Sequence, residues 1–573
     1  MLSKSVSCSV KIKLNKNHYQ ILKKICKIRL YFEEKVIKTS RTSYWSSELI
    51  TLVCSLFFTL ACNSSFWTEL LQGKDLANPY TWFIIFCTAT AITGLQWFLL
   101  LLVINRWTFK WFTMGLLLVT SIAVYFMNTF HVYIDPTMIT NVVSTDYQES
   151  SEFLQWRILP YFLFLGVLPC WIIWHIKIYK RSLPSYWAGR LGTIFLSLCM
   201  MFGGSWAIFH ELGPIHRERK QIIYLITPLN IISSSTKAYW RARQARVDKT
   251  KIKIGTDAHK LPRPENSKPR VIILVVGETV RAGNWGLNGY HRQTTPELAK
   301  RQVINFSEVT SCGTTTAVSL PCMFSHYGMH AYNSAKIDQT ESLLHLLDRT
   351  NVSVLWRDNQ SGCKGVCEVS MFEKLKKDAL CQNKRCYDEV LLHQLQERII
   401  NKKGDQLIIL HMLGNHGPAY FERYPEQFKH WTPICETTDL STCSQKALVN
   451  TYDNAILYTD SILAQAIDLL HNIKSHDTGL IYVSDHGESL GEHNLFLHGL
   501  PYFMAPDEQK KVPMILWLSE GLSKQLAMKE NCLLNKQSDP ISHDYLFSTL
   551  LSLFDVKAKE YNPKFDLIHS CRI

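Results

Sequence analysis

Five nearly unbroken apolar stretches constrain this chain more than any other feature; they lie near residues 49 to 66, 82 to 104, 112 to 130, 158 to 176 and 190 to 209. Each approaches the ~20 residues a helix needs to cross a hydrocarbon layer of about 30 Å. No such stretch occurs beyond Lys251. At 573 residues the chain is also too long for one core, because single cores stop growing near roughly 250 to 300 residues. The expected architecture is an N-terminal transmembrane domain of five helices followed by a soluble domain. Its limits are a basic tail over 1–47, the membrane domain over 48–210, a linker with a membrane-surface helix over 211–268, and the soluble domain over 269–573.

Flanking charge gives the orientation. Before the first stretch stand Lys4, Lys11, Lys13, Lys16, Lys23, Lys24, Lys27, Arg29, Lys35, Lys38 and Arg41 against Glu33 and Glu34, which places this tail in the cytoplasm by the positive-inside tendency. Eleven cations less two anions leave nine of the formal net charge of +14. The charge is thus mainly a topology signal, and a nucleic-acid partner is not expected. Arg106 and Lys110, and then Lys177, Lys180, Arg181 and Arg190, mark two further cytoplasmic turns, whereas Asp135, Asp146, Glu149 and Glu152 face the other side with Arg157 alone. An odd number of spans puts the C-terminal domain outside. Met1 to Ser47 is too basic and too long for a cleaved signal peptide, so the first span is expected to remain as an anchor.

Cysteine placement tests that topology. Of 17 cysteines, Cys8 and Cys26 lie in the tail, Cys54, Cys62, Cys87, Cys170 and Cys199 lie in the apolar stretches, and the other ten lie in the soluble domain. These ten form close pairs, Cys312 with Cys322, Cys363 with Cys367, Cys381 with Cys386 and Cys435 with Cys443, leaving Cys532 and Cys571 as a candidate fifth. Such pairing reads as disulfides formed in an oxidising compartment. A zinc-thiolate site from Cys363, Cys367, Cys381 and Cys386 is the alternative.

Between the two parts, residues 229 to 247 carry Trp240, Arg241, Arg243 and Arg246, suiting either a helix at headgroup level or a solvated linker. The soluble domain then opens on Val271-Ile272-Ile273-Leu274-Val275-Val276, a strand buried on both faces, which leads into Gly277-Glu278-Thr279. Leu407 to His411 leads likewise into Gly414-Asn415-His416-Gly417, and Leu480 to Val483 into Ser484-Asp485-His486-Gly487. Helical spacing between them, as over Asn454 to Leu470, argues for an α/β domain with a mostly parallel sheet covered by helices on both faces. Sites in such sheets sit at the strand ends.

Taken alone, an Asp-His-Gly triplet is as readily a turn as a metal site. Here three strand ends supply Glu278, Asp485 and His486, two carboxylates and an imidazole, one ligand short of a tetrahedral zinc site. A loop from Thr310 to Ser319, pinned by Cys312 and Cys322, offers hydroxyls for the fourth position.

At this point the chain resembles the phosphoethanolamine transferases of the alkaline phosphatase and sulfatase superfamily, within it the enzymes that modify lipid A and the mobile colistin-resistance enzymes. The resemblance rests on Val275-Val276-Gly277-Glu278-Thr279, Leu287-Asn288-Gly289-Tyr290, Ser311-Cys312-Gly313-Thr314, Pro321-Cys322-Met323-Phe324-Ser325, Gly362-Cys363-Lys364-Gly365, Gly414-Asn415-His416-Gly417-Pro418, and the run from Ser484 through His498-Gly499. It implies one tight zinc held by Glu278, Asp485, His486 and Thr316, with Thr316 as nucleophile. Thr314, Lys364, His416 and His498 fall where the family surrounds the transferred phosphate or holds a second, weaker zinc. Asn141, Thr145 and Glu149, spaced by four on one helical face, are similar to the family's lipid contacts, although by themselves they read as a solvated face.

The implied reaction moves phosphoethanolamine from phosphatidylethanolamine to a phosphate of lipid A, through a phosphoethanolamine-threonine intermediate, and confers resistance to polymyxins. The implied setting is a monomer in the Gram-negative inner membrane, its catalytic domain in the periplasm. A transferase acting on core sugars or another envelope glycan, and a metal-dependent phosphatase or sulfatase, are the competing readings; a non-enzymatic membrane sensor would be expected to have lost a ligand. Two positions depart from the pattern: Gly283, where an acidic residue is common, and His493, which stands in place of asparagine and offers an extra metal contact. His411 is expected to be structural.

Overall fold

A computed structural model of the protein describes residues 44–573, apart from 106, 145–149, 151, 154, 179–181, 210–219, 248–250, 376–380 and 383–384. The basic tail, Thr145 and Glu149 therefore lie outside the described residues. Two compact units result: the described part of Met1–Phe57 with Asn78–Leu117 and Val167–Phe209, and a larger one made of Phe58–Ala77, Leu118–Gly166 and the described part of His210–Ile573.

All five apolar stretches are helical, as α1 (Ser47–Ala61) with α2 (Ser64–Leu71), α3 (Pro79–Val103), α4 (Phe109–Phe130), α6 (Ile158–His175) and α7 (Leu183–Ala207); α5 (Pro136–Ser144) lies between α4 and α6. The expected count of five spans is not confirmed by length and composition. Among the described residues, α3, α4 and α6 are long and apolar enough to cross a bilayer, and α1 with α2 make a fourth only as a pair bent by 55°. The break is built around buried Asn63, whose amide donates to the carbonyls of Phe58 and Thr227 and whose oxygen accepts from the Thr227 N–H. Helix α7 buries Arg190, whose guanidinium donates to the carbonyls of Leu101 and Ile104 near the end of α3. Helices α3 and α7 approach so closely that a Cβ on Gly94 would fall 2.6 Å from the Met201 nitrogen and one on Gly204 2.6 Å from the Cys87 carbonyl, the small-residue packing favoured between helices in lipid. Leu229–Val247 is helical as well (α8).

In the larger unit β1 (Arg270–Gly277), β2 (Ile304–Thr310), β3 (Val352–Asp358), β4 (Phe372–Lys374), β5 (Asp405–His411), β6 (Asp477–Ser484), β7 (Lys511–Leu518) and β8 (Ile541–Ser542) form one sheet in the order β8-β2-β7-β6-β1-β5-β3-β4. Only β7 runs against the rest. Every residue of β1, β5 and β6 is buried, which requires cover on both faces. Ile272, Leu274, Val276, Leu407, Ile409, Ile481 and Val483 pack in one core with α10 (Leu343–Arg349) and α12 (Tyr545–Leu553). Helix α11 runs over Gln445–Asn472, longer than the periodicity over 454 to 470 suggests, because Ser444 caps it through the Ala447 N–H. All five cysteine pairs, including Cys532 with Cys571, are joined as disulfides.

Candidate active site

Register at the centre of the sheet sets the site. In the parallel pair β1 and β6, Gly277 stands opposite Ser484, so Glu278 and Asp485 leave neighbouring strands side by side, with the Asp485 N–H donating to the Gly277 carbonyl at 3.0 Å. The loop after β5 seals the other flank. There the Asn415 N–H donates to the Glu278 carbonyl at 3.0 Å, and a Cβ on Gly414 (φ 53°) would sit 2.8 Å from that same oxygen.

Glu278, Asp485 and His486 are fully buried, and their ligand atoms lie within 4.8 Å of one another. Thr316 opens α9 (Thr316–Met323), whose last turn is tied to the loop before it by Cys312–Cys322, and its Oγ1 donates to the Glu278 oxygens at 3.1 and 3.3 Å while lying 3.4 Å from His486 Nε2. His486 Nε2 is in turn 3.4 Å from both Glu278 Oε1 and Asp485 Oδ2. Its Nδ1 donates to the Gly487 carbonyl at 3.0 Å, which leaves the Nε2 lone pair aimed at the cluster. Burial pushes the imidazole down to about 4, outweighing the pull of the Asp485 charge. Asp485 Oδ1 accepts from the N–H groups of His486 (2.8 Å) and Thr279 (3.3 Å), yet buried Oδ2 has no hydrogen-bond partner among the described residues. Two adjacent buried carboxylates, one orphaned oxygen and a neutral imidazole lone pair fit a divalent cation with mixed oxygen and nitrogen preference.

Around this cluster stand residues the sequence did not single out. Gln360, just past β3, donates to Glu278 Oε2 at 3.0 Å. His543 accepts from the Cys312 N–H at 3.1 Å and donates through Nε2 to the Ser484 carbonyl at 3.0 Å, tying the Thr316 loop to the end of β6; burial pushes it, too, down to about 4. Fully buried Glu488 bonds His498 Nδ1 at 2.7 Å and accepts from the Tyr420 hydroxyl. Glu488 lies within a motif run that was legible, but nothing in a single sequence separates it from a second-turn acidic residue.

The remaining expected residues divide. The His498 ring lies 4.2 Å from that of His486 and 5.9 Å from that of His416, and His486, Glu488 and His498 form a second grouping able to hold a metal. Thr314 donates its hydroxyl to the Leu500 carbonyl at 2.6 Å, fastening the Thr316 loop to the His498 segment. Lys364 sits in the loop closed by Cys363–Cys367 with left-handed backbone (φ 48°); among the described residues no hydrogen bond joins it to the cluster. Asn141 lies on α5, which packs against α9. His493 also has left-handed backbone and belongs to neither metal grouping. His411 Nδ1 bonds Asp358 at 2.8 Å in the sheet interior.

A mostly parallel sheet whose central strand ends bring carboxylates, an imidazole and a hydroxyl to one point defines a sulfatase-like enzyme, and residues 270–556 match the family model described as Sulfatase. Residues 92–242 match the model described as phosphoethanolamine transferase EptA/EptB. Over 538 residues the chain is 38% identical to phosphoethanolamine transferase EptA of Escherichia coli K12, covering 91% of this chain and 96% of that protein. It is 35% identical to the phosphatidylethanolamine transferase Mcr-1 from Escherichia coli, over 91% of this chain and 98% of the other. The full-length structure of lipooligosaccharide phosphoethanolamine transferase A from Neisseria meningitidis superposes with a TM-score of 0.87 at 32% identity, covering 92% of this chain and all of that one. The chain belongs to the EptA family of phosphoethanolamine transferases.

Proposed function

We propose that this protein transfers phosphoethanolamine from phosphatidylethanolamine to a phosphate of lipid A through a covalent intermediate on Thr316, and that the added amine weakens binding of polymyxins and other cationic peptides. The observation that carries this reading is the Thr316 hydroxyl, at the first position of a helix and within 3.4 Å of both Glu278 and His486. A zinc ion held by Glu278, Asp485, His486 and Thr316 Oγ1 would lower the pKa of that hydroxyl and offset the carboxylate charge.

In the first step Thr316 Oγ1 attacks phosphorus, the bond to the diacylglycerol oxygen breaks, and that oxygen leaves with a proton. The positive end of the α9 dipole and the Lys364 ammonium balance charge on the phosphoryl oxygens, since phosphoryl transfer depends mainly on positioning and electrostatics. His416 and His498 serve as the donors or acid/base groups of the two steps, or with Glu488 as a second, weaker metal site. In the second step a lipid A phosphate oxygen attacks the same phosphorus and the bond to Thr316 Oγ1 breaks, restoring the hydroxyl. Asn141, Thr145 and Glu149 would hold the donor lipid. The catalytic domain lies in the periplasm and the basic tail in the cytoplasm. Core sugars or another envelope glycan remain alternative acceptors. Phosphatase, sulfatase and sensor readings fare worse, because the nucleophile is a threonine and the ligand set is complete.

Mass spectrometry of the protein incubated with phosphatidylethanolamine should find a phosphoethanolamine adduct on Thr316; an unmodified Thr316 under turnover would overturn the two-step route. Mass spectrometry of lipid A and core oligosaccharide from cells with and without the protein separates the acceptors.

A further inference from the structure

The turn that follows the His416 loop is fastened to a distant part of the chain by one buried guanidinium. Arg423 Nη2 donates to both oxygens of Glu152, at 2.8 and 2.7 Å, and Arg423 Nε donates to the His416 carbonyl at 2.6 Å. The two side chains are 1% and 6% exposed. Glu152 belongs to the segment between α5 and α6, the first of which packs against the Thr316 helix. We propose that Arg423 is a positioning residue: it transmits the placement of Glu152 to the His416 loop, so that the phosphate side of the site is correctly set only while the Glu152–Arg423 pair is formed.

The physical ground is the rigidity of the guanidinium. Its planar fork makes both contacts through one delocalised group, so a displacement of Glu152 tilts the plane and pulls on the His416 carbonyl; a flexible ammonium would not transmit it. Simple mooring is already provided elsewhere. Gln155 donates to the Thr438 carbonyl at 2.7 Å, and Arg157 pairs with Asp439 at 2.7 Å and donates to Ser441 at 2.6 Å, all on the loop bearing the Cys435–Cys443 disulfide. A buried ion pair is also weak evidence for stability in its own right, since desolvation offsets the attraction. What Glu152 adds over its neighbours is the link to His416. The same turn reaches the site a second way, through the Tyr420 hydroxyl on Glu488 and from there to His498.

This inference rests on His416 acting at the transferred phosphate, and its test keeps the two apart. Hydrogen exchange on the full-length protein in lipid nanodiscs, followed by mass spectrometry, should show amides of 412–424 exchanging at least about threefold faster in Glu152→Gln and in Arg423→Lys, with the peptides of β1 and β6 unchanged. Gln155→Ala, which removes a mooring contact only, should leave 412–424 as in the wild type. In transfer assays with phosphatidylethanolamine and lipid A, Glu152→Gln should lower kcat by about tenfold, within the range expected for a misplaced reacting group, and should add nothing in a His416→Ala background. Unchanged exchange at 412–424, an equal response to Gln155→Ala, or losses that multiply in the double variant would each overturn the coupling. Wild-type protein that transfers nothing would sink the proposed reaction, and the exchange experiment alone would then decide the role of Arg423.

Discussion

Replacing Asp485 by asparagine should move stability in opposite directions with and without zinc. Its Oδ2 is buried and makes no hydrogen bond among the described residues, and the ligand atoms of Glu278 and Asp485 lie within 4.8 Å. Two unit charges at that distance repel by about 3.5 kcal/mol at an effective dielectric of about 20. Asparagine removes one charge, keeps the Oδ1 that accepts from His486 and Thr279, and offers an N–H toward Glu278 or His486. Allowing about 1 kcal/mol for burying the amide leaves a gain of about 2.5 kcal/mol for the metal-free protein, or roughly 3 to 5 °C in the thermal midpoint of a domain this large. With zinc the sign reverses. The wild type gains about 4 kcal/mol at a thousand times Kd, most of which the variant forgoes. Thermal scans of full-length protein in detergent, after chelation and after zinc addition, with zinc per chain measured by mass spectrometry, read both effects. A metal-free midpoint that falls in the variant, or a zinc-induced rise equal to the wild type's, would refute the view that these carboxylates are held together for a cation.

Thr316→Ala should abolish transfer and the covalent adduct while leaving zinc partly bound by the other three ligands, and wild-type activity in that variant would remove Thr316 from the chemistry. Gly414→Ala forces a Cβ to within 2.8 Å of the Glu278 carbonyl at a left-handed φ, adding about 1 to 2 kcal/mol of strain; zinc content should drop with the sheet intact, and wild-type zinc affinity would count against the close approach. His543 is held down to about 4 by burial, so between that pH and its ordinary 6.5 the unfolded chain binds a proton that the folded one does not. Stability from this group is therefore present above pH 6.5 and lost as pH falls toward 4, by about 3 kcal/mol. His543→Gln should flatten the decline of the midpoint across that window, and an identical slope would disprove the assignment.

Much of the site was legible because its ligands follow strands whose residues are apolar without interruption. Val271 to Val276 and Leu480 to Val483 read as central strands, and Glu278, Asp485 and His486 occur one or two residues past the ends of β1 and β6. Four of the cysteine pairs were legible for a different reason, since short spacing leaves few partners, whereas Cys532 and Cys571, 39 residues apart, could be named only as a candidate pair. Supporting contacts were not legible. Gln360, His543 and Glu488 reach the site from β3, from beyond β8 and from the turn after His486, and only tertiary packing brings them there. Apolar composition likewise located the membrane helices but could not show that Asn63 breaks the first or that Arg190 is buried in α7. Antiparallel β7, with Pro513 inside it, gave no sign of its direction, since direction is set by pairing and not by residue type.

The adjacency of β1 and β6 has a consequence for biogenesis. Roughly 200 residues separate the strands, so at about 5 to 20 residues per second β1 is made roughly 10 to 40 s before its neighbour. Until β5 emerges this strand of six consecutive β-branched or leucine residues lacks both of its partners, and until β6 emerges it still lacks one, the state most prone to pairing with another chain. Glu278 meanwhile has no Asp485 or His486 beside it. Any metal held by this cluster would thus be captured at the end of folding and could not guide its beginning.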